Sequence, residues 1–261
     1  MTDSVLVEVA EGVATVTLNR PQVMNAMDGA MMGRLREVAE AVQEDAAVRA
    51  VVVRGAGPAF VAGGDVAMMK TNLAGLPETV VRIGRDMHLA FTTLRRMPKP
   101  VLASVHGACA GAGMGLLAAC DLAIAAEGTR FFVAYTRIGT SPDGGVSHWL
   151  PRLVGYKRAM ELTLLSDVFD AGRARDLGIV NWVVAPEQLD GETRKLARRL
   201  ADGPTLAYAE AKALVNRGFE AGVEGQMDEE LRSFARCART ADFAEGVTAF
   251  IEKRQPRFTG K

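Results

Sequence analysis

Three stretches of this 261-residue chain bring together residue types that can do chemistry. The first is Pro100–Asp121, which reads PVLASVHGACAGAGMGLLAACD. Val101–Val105 is an apolar run long enough for one buried strand. It passes through His106-Gly107 and Ala110-Gly111-Ala112-Gly113-Met114-Gly115 into a helical apolar pattern ending near Cys120. A strand that runs through glycines into a helix start leaves backbone N–H groups unpaired. Those groups favour an anion, or an oxygen that is gaining negative charge. The second stretch is Ala62-Gly63-Gly64-Asp65, which again sets glycines between extended and helical sequence. Two such loops, if they meet, offer two N–H groups to one oxygen, as an oxyanion hole does; alone, the second is an ordinary turn. The third is Ser141-Pro142-Asp143-Gly144-Gly145. Asp143 reads either as the N-cap of a following helix or as a loop carboxylate placed for proton transfer.

Several other chemistries find no support in the residues. Gly111-x-Gly113-x-Gly115 lacks the further glycine of a dinucleotide fingerprint, because Leu116 stands there. The histidines, His88, His106 and His148, form no cluster with metal-ligand spacing, so no metal is expected. His106, beside the glycine loop, reads as a packed or capping residue. Ser147-His148 beside Asp143 is a triad only on paper, since neighbours in sequence point apart on a helix. Lys+Arg and Asp+Glu both number 31, so no global field draws the chain to nucleic acid or to an anionic membrane. No apolar run reaches the roughly 18 residues of a membrane span, and MTDSVLVEVAEG lacks a signal-peptide pattern. Cys109, Cys120 and Cys237 are far apart without CxxC spacing, which predicts buried reduced thiols in a cytoplasmic protein.

The elements that must position these stretches follow from periodicity. Val5–Val9 and Val13–Asn19 alternate around Glu11-Gly12 and predict a β-hairpin. Asp28 is a candidate N-cap for a helix to about Gln43, with Met32, Leu35, Val38, Ala39 and Val42 on one face. Ala50–Arg54, Leu122–Ala126, Thr129–Ala134 and Asn181–Val184 read as strands. Thr79 to Arg96 reads as a helix with Met87, Leu89, Ala90, Phe91 and Leu94 apolar, stopped by Pro98-Lys99-Pro100. Tyr156–Leu165 and Ala171–Leu177 are further helices, and from Pro186 the pattern is helical with breaks at Gly203-Pro204 and Gly218. This mixture predicts an α/β core over residues 1–195 and a helical region over 196–261.

Taken together, the motifs resemble the enoyl-CoA hydratase/isomerase (crotonase) superfamily over essentially the whole chain. They are Leu18-Asn19-Arg20-Pro21…Asn25-Ala26, Phe60-x-Ala62-Gly63-Gly64-Asp65, Lys99 through Asp121, and Ile138 to Gly145. Leu150-Pro151-Arg152-Leu153-Val154-Gly155, Ala171…Leu177-Gly178-Ile179-Val180 and Glu245-Gly246…Lys253-Arg254 complete the set. The resemblance implies a spiral of ββα units and a C-terminal helical region that assembles homotrimers or hexamers (dimers of trimers). It implies an acyl-CoA thioester as substrate, so that coenzyme A belongs to the substrate and no separate cofactor is expected. The oxyanion-hole amides carry over to Gly64 and Ala112. The CoA path carries over to Gln22, Val23, Met24 and Ala26, the adenine to Ala62 and Asp65–Val66, and a phosphate contact to Lys253.

Two departures from the family pattern bear on the reaction. The two glutamates of the family's hydratases fall on Gly115 and Tyr135. Isomerases of the family use one carboxylate where Asp143 stands. Phenylacetate-pathway isomerases share the Ala-Gly-Ala-Gly and Pro-Asp-x-Gly-Gly arrangements and a tail like Lys253–Lys261. The resemblance therefore implies an acyl-CoA isomerase with Asp143 as general acid/base. A hydratase and a non-catalytic acyl-CoA binder are the alternatives. A dehalogenase would use the same aspartate as a nucleophile, but His88 does not align with its histidine and Trp149 follows Asp143 instead of preceding it. Asn72–Glu78 and Ala134–Arg137 are expected to shape the acyl pocket.

Overall fold

The computed structural model describes residues 3–71 and 73–261. β1 (Val5–Ala10) and β2 (Val13–Leu18) form the hairpin expected around Glu11-Gly12, whose φ values are 51° and 78°. Positive φ at both turn residues suits the right-handed twist of paired strands. The chain continues through α1 (Gly29–Glu44), β3 (Ala50–Gly55), α2 (Val66–Thr71) and α3 (Leu76–Arg96) to β4 (Val101–Val105), β5 (Ala108–Ala110) and α4 (Ala112–Ala119). β6 (Leu122–Ala126), β7 (Arg130–Phe132), α5 (Val146–Val154), α6 (Tyr156–Leu165), β8 (Phe169–Asp170), α7 (Ala171–Asp176) and β9 (Trp182–Val184) follow.

Two sheets result, ordered β1-β2-β3-β4-β6-β9 and β5-β7-β8. From β2 onward every pairing in the larger sheet is parallel. An isolated parallel bridge between Val61 and Cys109 extends the smaller sheet. β3 with residue 61, β4 with β5, and β6 with β7 are thus successive units that each supply both sheets before a helix crosses back. This is the winding ββα repeat that the sequence resemblance implies.

Asp28 caps α1 by accepting from the Met31 N–H at 2.8 Å, and Met31, Met32, Leu35, Val38, Ala39 and Val42 are buried. That face packs on α3, whose buried residues are Met87, Ala90, Phe91 and Leu94. Leu89, apolar in the sequence, is exposed, because positions 87, 90, 91 and 94 define the buried helical stripe. β4 is buried on both faces, as a parallel strand between helices must be.

The second face of the large sheet is covered by α8 (Leu189–Ala201), with Leu189 and Ala197 packed with Val52, Leu102 and Ile124. The boundary expected at residue 195 falls inside this helix, whose buried face continues to Ala201. α9 (Thr205–Arg217), α10 (Val223–Cys237) and α11 (Ala241–Ile251) follow. Lys212 pins α9 to the core through Asp121 at 2.8 Å and the carbonyls of Leu94 and Lys99 at 2.9 and 3.0 Å. The C-terminus folds back on α11, where Asp242 accepts from the Thr259 and Gly260 N–H groups at 2.7 and 2.8 Å. Among the described residues no helix is long and apolar enough to cross a membrane.

Candidate functional site

The two glycine loops lie side by side. Phe60 N–H donates to His106 O at 2.9 Å, Val61 N–H to Ala108 O at 3.0 Å, and Ala110 N–H to Val61 O at 2.9 Å. This ladder carries Gly63 onto Gly111: a Cβ added to Gly111 would stand 3.5 Å from the Gly63 Cα. On its other edge the loop pairs with Met27, which donates to Gly63 O at 2.8 Å and accepts from Asp65 N–H at 3.0 Å. In a parallel bridge of this kind the intervening residue, Gly64, turns its N–H away from the partner strand. α4 starts at Ala112 after Gly111, whose φ of 50° and ψ of −119° suit glycine, and no side chain caps it. Among the described residues neither the Gly64 nor the Ala112 N–H has an acceptor. Gly113 permits the approach: a Cβ there would meet Val61 Cβ at 2.8 Å and Val61 O at 2.9 Å.

Asp143 lies half-buried in the loop before α5. It is not the N-cap, a place taken by Gly145, so the capping alternative is set aside. Its Oδ1 instead accepts from the Tyr135 hydroxyl at 2.6 Å. Among the described residues nothing bonds Oδ2. Tyr135 is buried, and burial followed by the charge of Asp143 pushes the phenol far above its ordinary range, so it keeps its proton. Ala134, immediately before it, has φ 69° and ψ −30°, and Tyr135 N–H bonds back to Val133 O at 2.9 Å. This is a γ-turn of the strained, positive-φ kind, and strain of this order costs about 1–3 kcal/mol. Gly115 on α4 abuts the same loop: a Cβ there would lie 2.4 Å from the Gly144 carbonyl oxygen.

The residues expected along coenzyme A are organised by two side chains whose structural role the sequence reading did not single out. Pro21–Val23 is a single 3-10 turn, and Met24 and Asn25 both take left-handed backbone, with φ of 52° and 57°. Asn25 is fully buried. It donates to Ala56 O and Ala59 O at 2.9 and 2.8 Å and accepts from Arg20 N–H at 2.8 Å. Asparagine tolerates αL backbone and satisfies its surroundings with a short amide. Ala62 N–H donates to Met24 O at 3.0 Å, which ties the Gln22–Ala26 and Ala62–Val66 segments together. The Arg20 guanidinium reaches Asp28 at 3.0 Å, Asp65 at 3.1 Å and the Ala26 carbonyl.

Asp65 is therefore committed structurally. It accepts from the Met68 N–H at 3.0 Å at the start of α2, and that bond, with Arg20, holds its carboxyl below the usual range. Lys253 follows α11. Among the described residues no hydrogen bond or ion pair joins it to the Gln22–Ala26 or Ala62–Val66 segments. The signal for Arg20 and Asn25 was the Asn19-Arg20-Pro21…Asn25 motif itself. Nothing in the sequence signalled the Tyr135–Asp143 bond.

His106 is a packing residue, with Nε2 2.8 Å from Gly57 O. Cys109 and Cys120 are buried and all three cysteines are free; burial pushes the Cys120 thiol up to about 12. No group of metal-ligating side chains occurs among the described residues. A cleft of about 700 Å³ borders Gly144 and Gly145, with Phe91, Trp149 and Phe219 in its walls. Ala134–Arg137 do not line it, and Asn72, expected to shape an acyl pocket, lies outside the described residues.

Residues 8–261 match the family model described as enoyl-CoA hydratase/isomerase. The chain is 40% identical over 258 residues to a "Probable enoyl-CoA hydratase" of Rhodobacter capsulatus, covering 97% of each protein. It is 37% identical over 263 residues to a "1,2-epoxyphenylacetyl-CoA isomerase" of Escherichia coli, covering 100% of each. A solved structure of a putative enoyl-CoA hydratase from Streptomyces coelicolor superposes with a TM-score of 0.94 at 36% identity, over 99% of this chain and 94% of that one.

Proposed function

This chain belongs to the enoyl-CoA hydratase/isomerase family, and on that premise we propose that it is an acyl-CoA isomerase that shifts a double bond or opens a ring next to the thioester. The N–H groups of Gly64 and Ala112 donate to the thioester oxygen as it becomes an enolate oxygen. One such donor is typically worth about 3–4 kcal/mol of barrier. The free Oδ2 of Asp143 takes a proton from C2 of a 3-enoyl-CoA while the electron pair moves onto the thioester oxygen. The same carboxyl then returns a proton at C4 and leaves the 2-enoyl isomer, with no net change in atoms.

One observation carries this reading: Asp143 is the carboxylate left at the three positions concerned. Position 115 is a glycine pressed against Gly144, and position 135 is a phenol that keeps its proton. Hydration needs one group to activate water and another to protonate carbon. It is the second reading, favoured by the hydratase names among the relatives.

Coenzyme A, as part of the substrate, runs past Gln22, Val23, Met24 and Ala26, with its adenine beside Ala62 and Asp65–Val66. The exposed side chains of Met24 and Val66 support that path. Lys253 contacts a CoA phosphate from a neighbouring copy in a homotrimer or a pair of trimers, held by the helices after residue 195. Free thiols fit work in the cytoplasm.

Purified protein and Asp143→Asn, assayed with 3-enoyl, 2-enoyl and ring-epoxide CoA esters, test the reading. The variant is expected to lose roughly 10²- to 10⁴-fold in isomerisation, the usual worth of a general acid/base, while still binding the ester. A variant as fast as the parent overturns it, and so does rapid 3-hydroxyacyl-CoA formation from crotonyl-CoA. Ester binding without turnover selects the non-catalytic alternative.

A further inference from the structure

Tyr135 is placed with more care than a buried phenol needs for its own sake. A buried tyrosine hydroxyl requires one acceptor, and a neutral carbonyl would serve. The Asp143 carbonyl is near but at 3.4 Å, whereas the hydroxyl lies 2.6 Å from the carboxylate oxygen. The chain reaches this arrangement through the strained turn at Ala134, whose i to i+2 bond, Tyr135 N–H to Val133 O, swings residue 135 under the loop. Such a conformation persists in a non-glycine residue only where the surroundings over-determine it. The loop is held from its other side as well, since Gly144 rests its carbonyl in the notch left by Gly115. Gly144 and Gly145, both at positive φ, add no side chain that could fix the loop after Asp143.

We propose that Tyr135 is the positioning residue of Asp143: its hydroxyl holds Oδ1 so that Oδ2 alone faces the substrate and carries the proton. The position that would supply a second carboxylate supplies a clamp for the single carboxylate instead. The phenol takes no part in proton transfer. Among the described residues Asp143 is the charged group that acts on it, and together with burial it keeps the phenol protonated. The inference rests on Asp143 being the acid/base, whichever acyl-CoA reaction it serves.

Two measurements on the full chain test it. Tyr135→Phe keeps the ring and removes the donor. It is expected to lower kcat roughly 10- to 100-fold, the scale of a misplaced reacting group, with KM within about twofold of the parent. A stability double-mutant cycle on Tyr135→Phe and Asp143→Ala is expected to be non-additive, since the two side chains touch. An unchanged kcat for Tyr135→Phe overturns the proposal. An additive cycle overturns the pair independently of any reaction. A coupled cycle in a protein that turns over no acyl-CoA ester sinks the enzymatic reading and leaves the bond a structural brace, which also ends the positioning role.

Discussion

A glutamate placed at position 115 finds no free space beside the proposed acid/base Asp143. Its Cβ would stand 2.4 Å from the Gly144 carbonyl oxygen and 3.3 Å from the Phe91 ring. Both neighbours are held: the first by the backbone of the Asp143 loop, the second as a fully buried ring of the core. Something must shift, and the lightest element is the loop that carries Asp143. Gly115→Glu and Gly115→Ala are both expected to destabilise by about 1–3 kcal/mol, as overpacked sites do. Both are expected to slow isomerisation, and neither to gain water addition. Thermal unfolding, together with product analysis on 3-enoyl- and 2-enoyl-CoA, checks the three outcomes. Hydration appearing in Gly115→Glu would show that the loop yields without losing its aim.

At the scale of elements, the Gly64 loop depends on how α1 and α2 begin. Asp28 caps α1, Asp65 accepts from Met68 N–H at the start of α2, and Arg20 lies between the two carboxylates. The geometry of Gly64 thus hangs on side chains that do no chemistry. Asp65 is held below its unfolded value of 3.8, first by the Met68 N–H and then by Arg20. A depressed carboxyl contributes stability that is fully present above the unfolded value and is lost as pH falls through the folded one. Asp65→Asn is therefore expected to be less stable than the parent near pH 7, with the gap narrowing below about pH 4. Denaturant melts across that range check it.

The sequence made this level legible unevenly. The cap at Asp28 and the α1 stripe were readable because a 16-residue helix repeats its pattern several times. β5 and β8, of three and two residues, are too short to show any period. α3 begins at Leu76, earlier than Thr79, because Pro77 sits in its first turn, where no N–H is missed. The glycines of both loops were visible as glycines. That Gly63 meets Gly111, and that Tyr135 reaches Asp143, are contacts between segments whose spacing in sequence carries no trace of them.

The whole chain leaves its last helices with little cover. α10 packs against α9, and its Met227, Leu231 and Phe234 form an exposed stripe at helical spacing. Phe250 and Ile251, at the end of α11, are 85% and 73% exposed. Large apolar side chains in such numbers mark an interaction surface in a folded protein. The formal net charge is zero, so no long-range repulsion keeps copies apart. The helical tail was legible from the sequence as helical, with its breaks at Gly203-Pro204 and Gly218. Its partner was not, because a stripe that packs within one chain and a stripe that packs between chains read alike. The proposed trimer assigns this surface to neighbouring copies and brings Lys253 of one chain to the coenzyme A phosphates bound by the next. Light scattering on the purified protein is then expected to give three or six times the chain mass. Leu231→Asp with Phe250→Asp is expected to give the single chain with weaker CoA-ester binding. A parent protein of single-chain mass that binds the ester normally would remove both the assembly and the shared site.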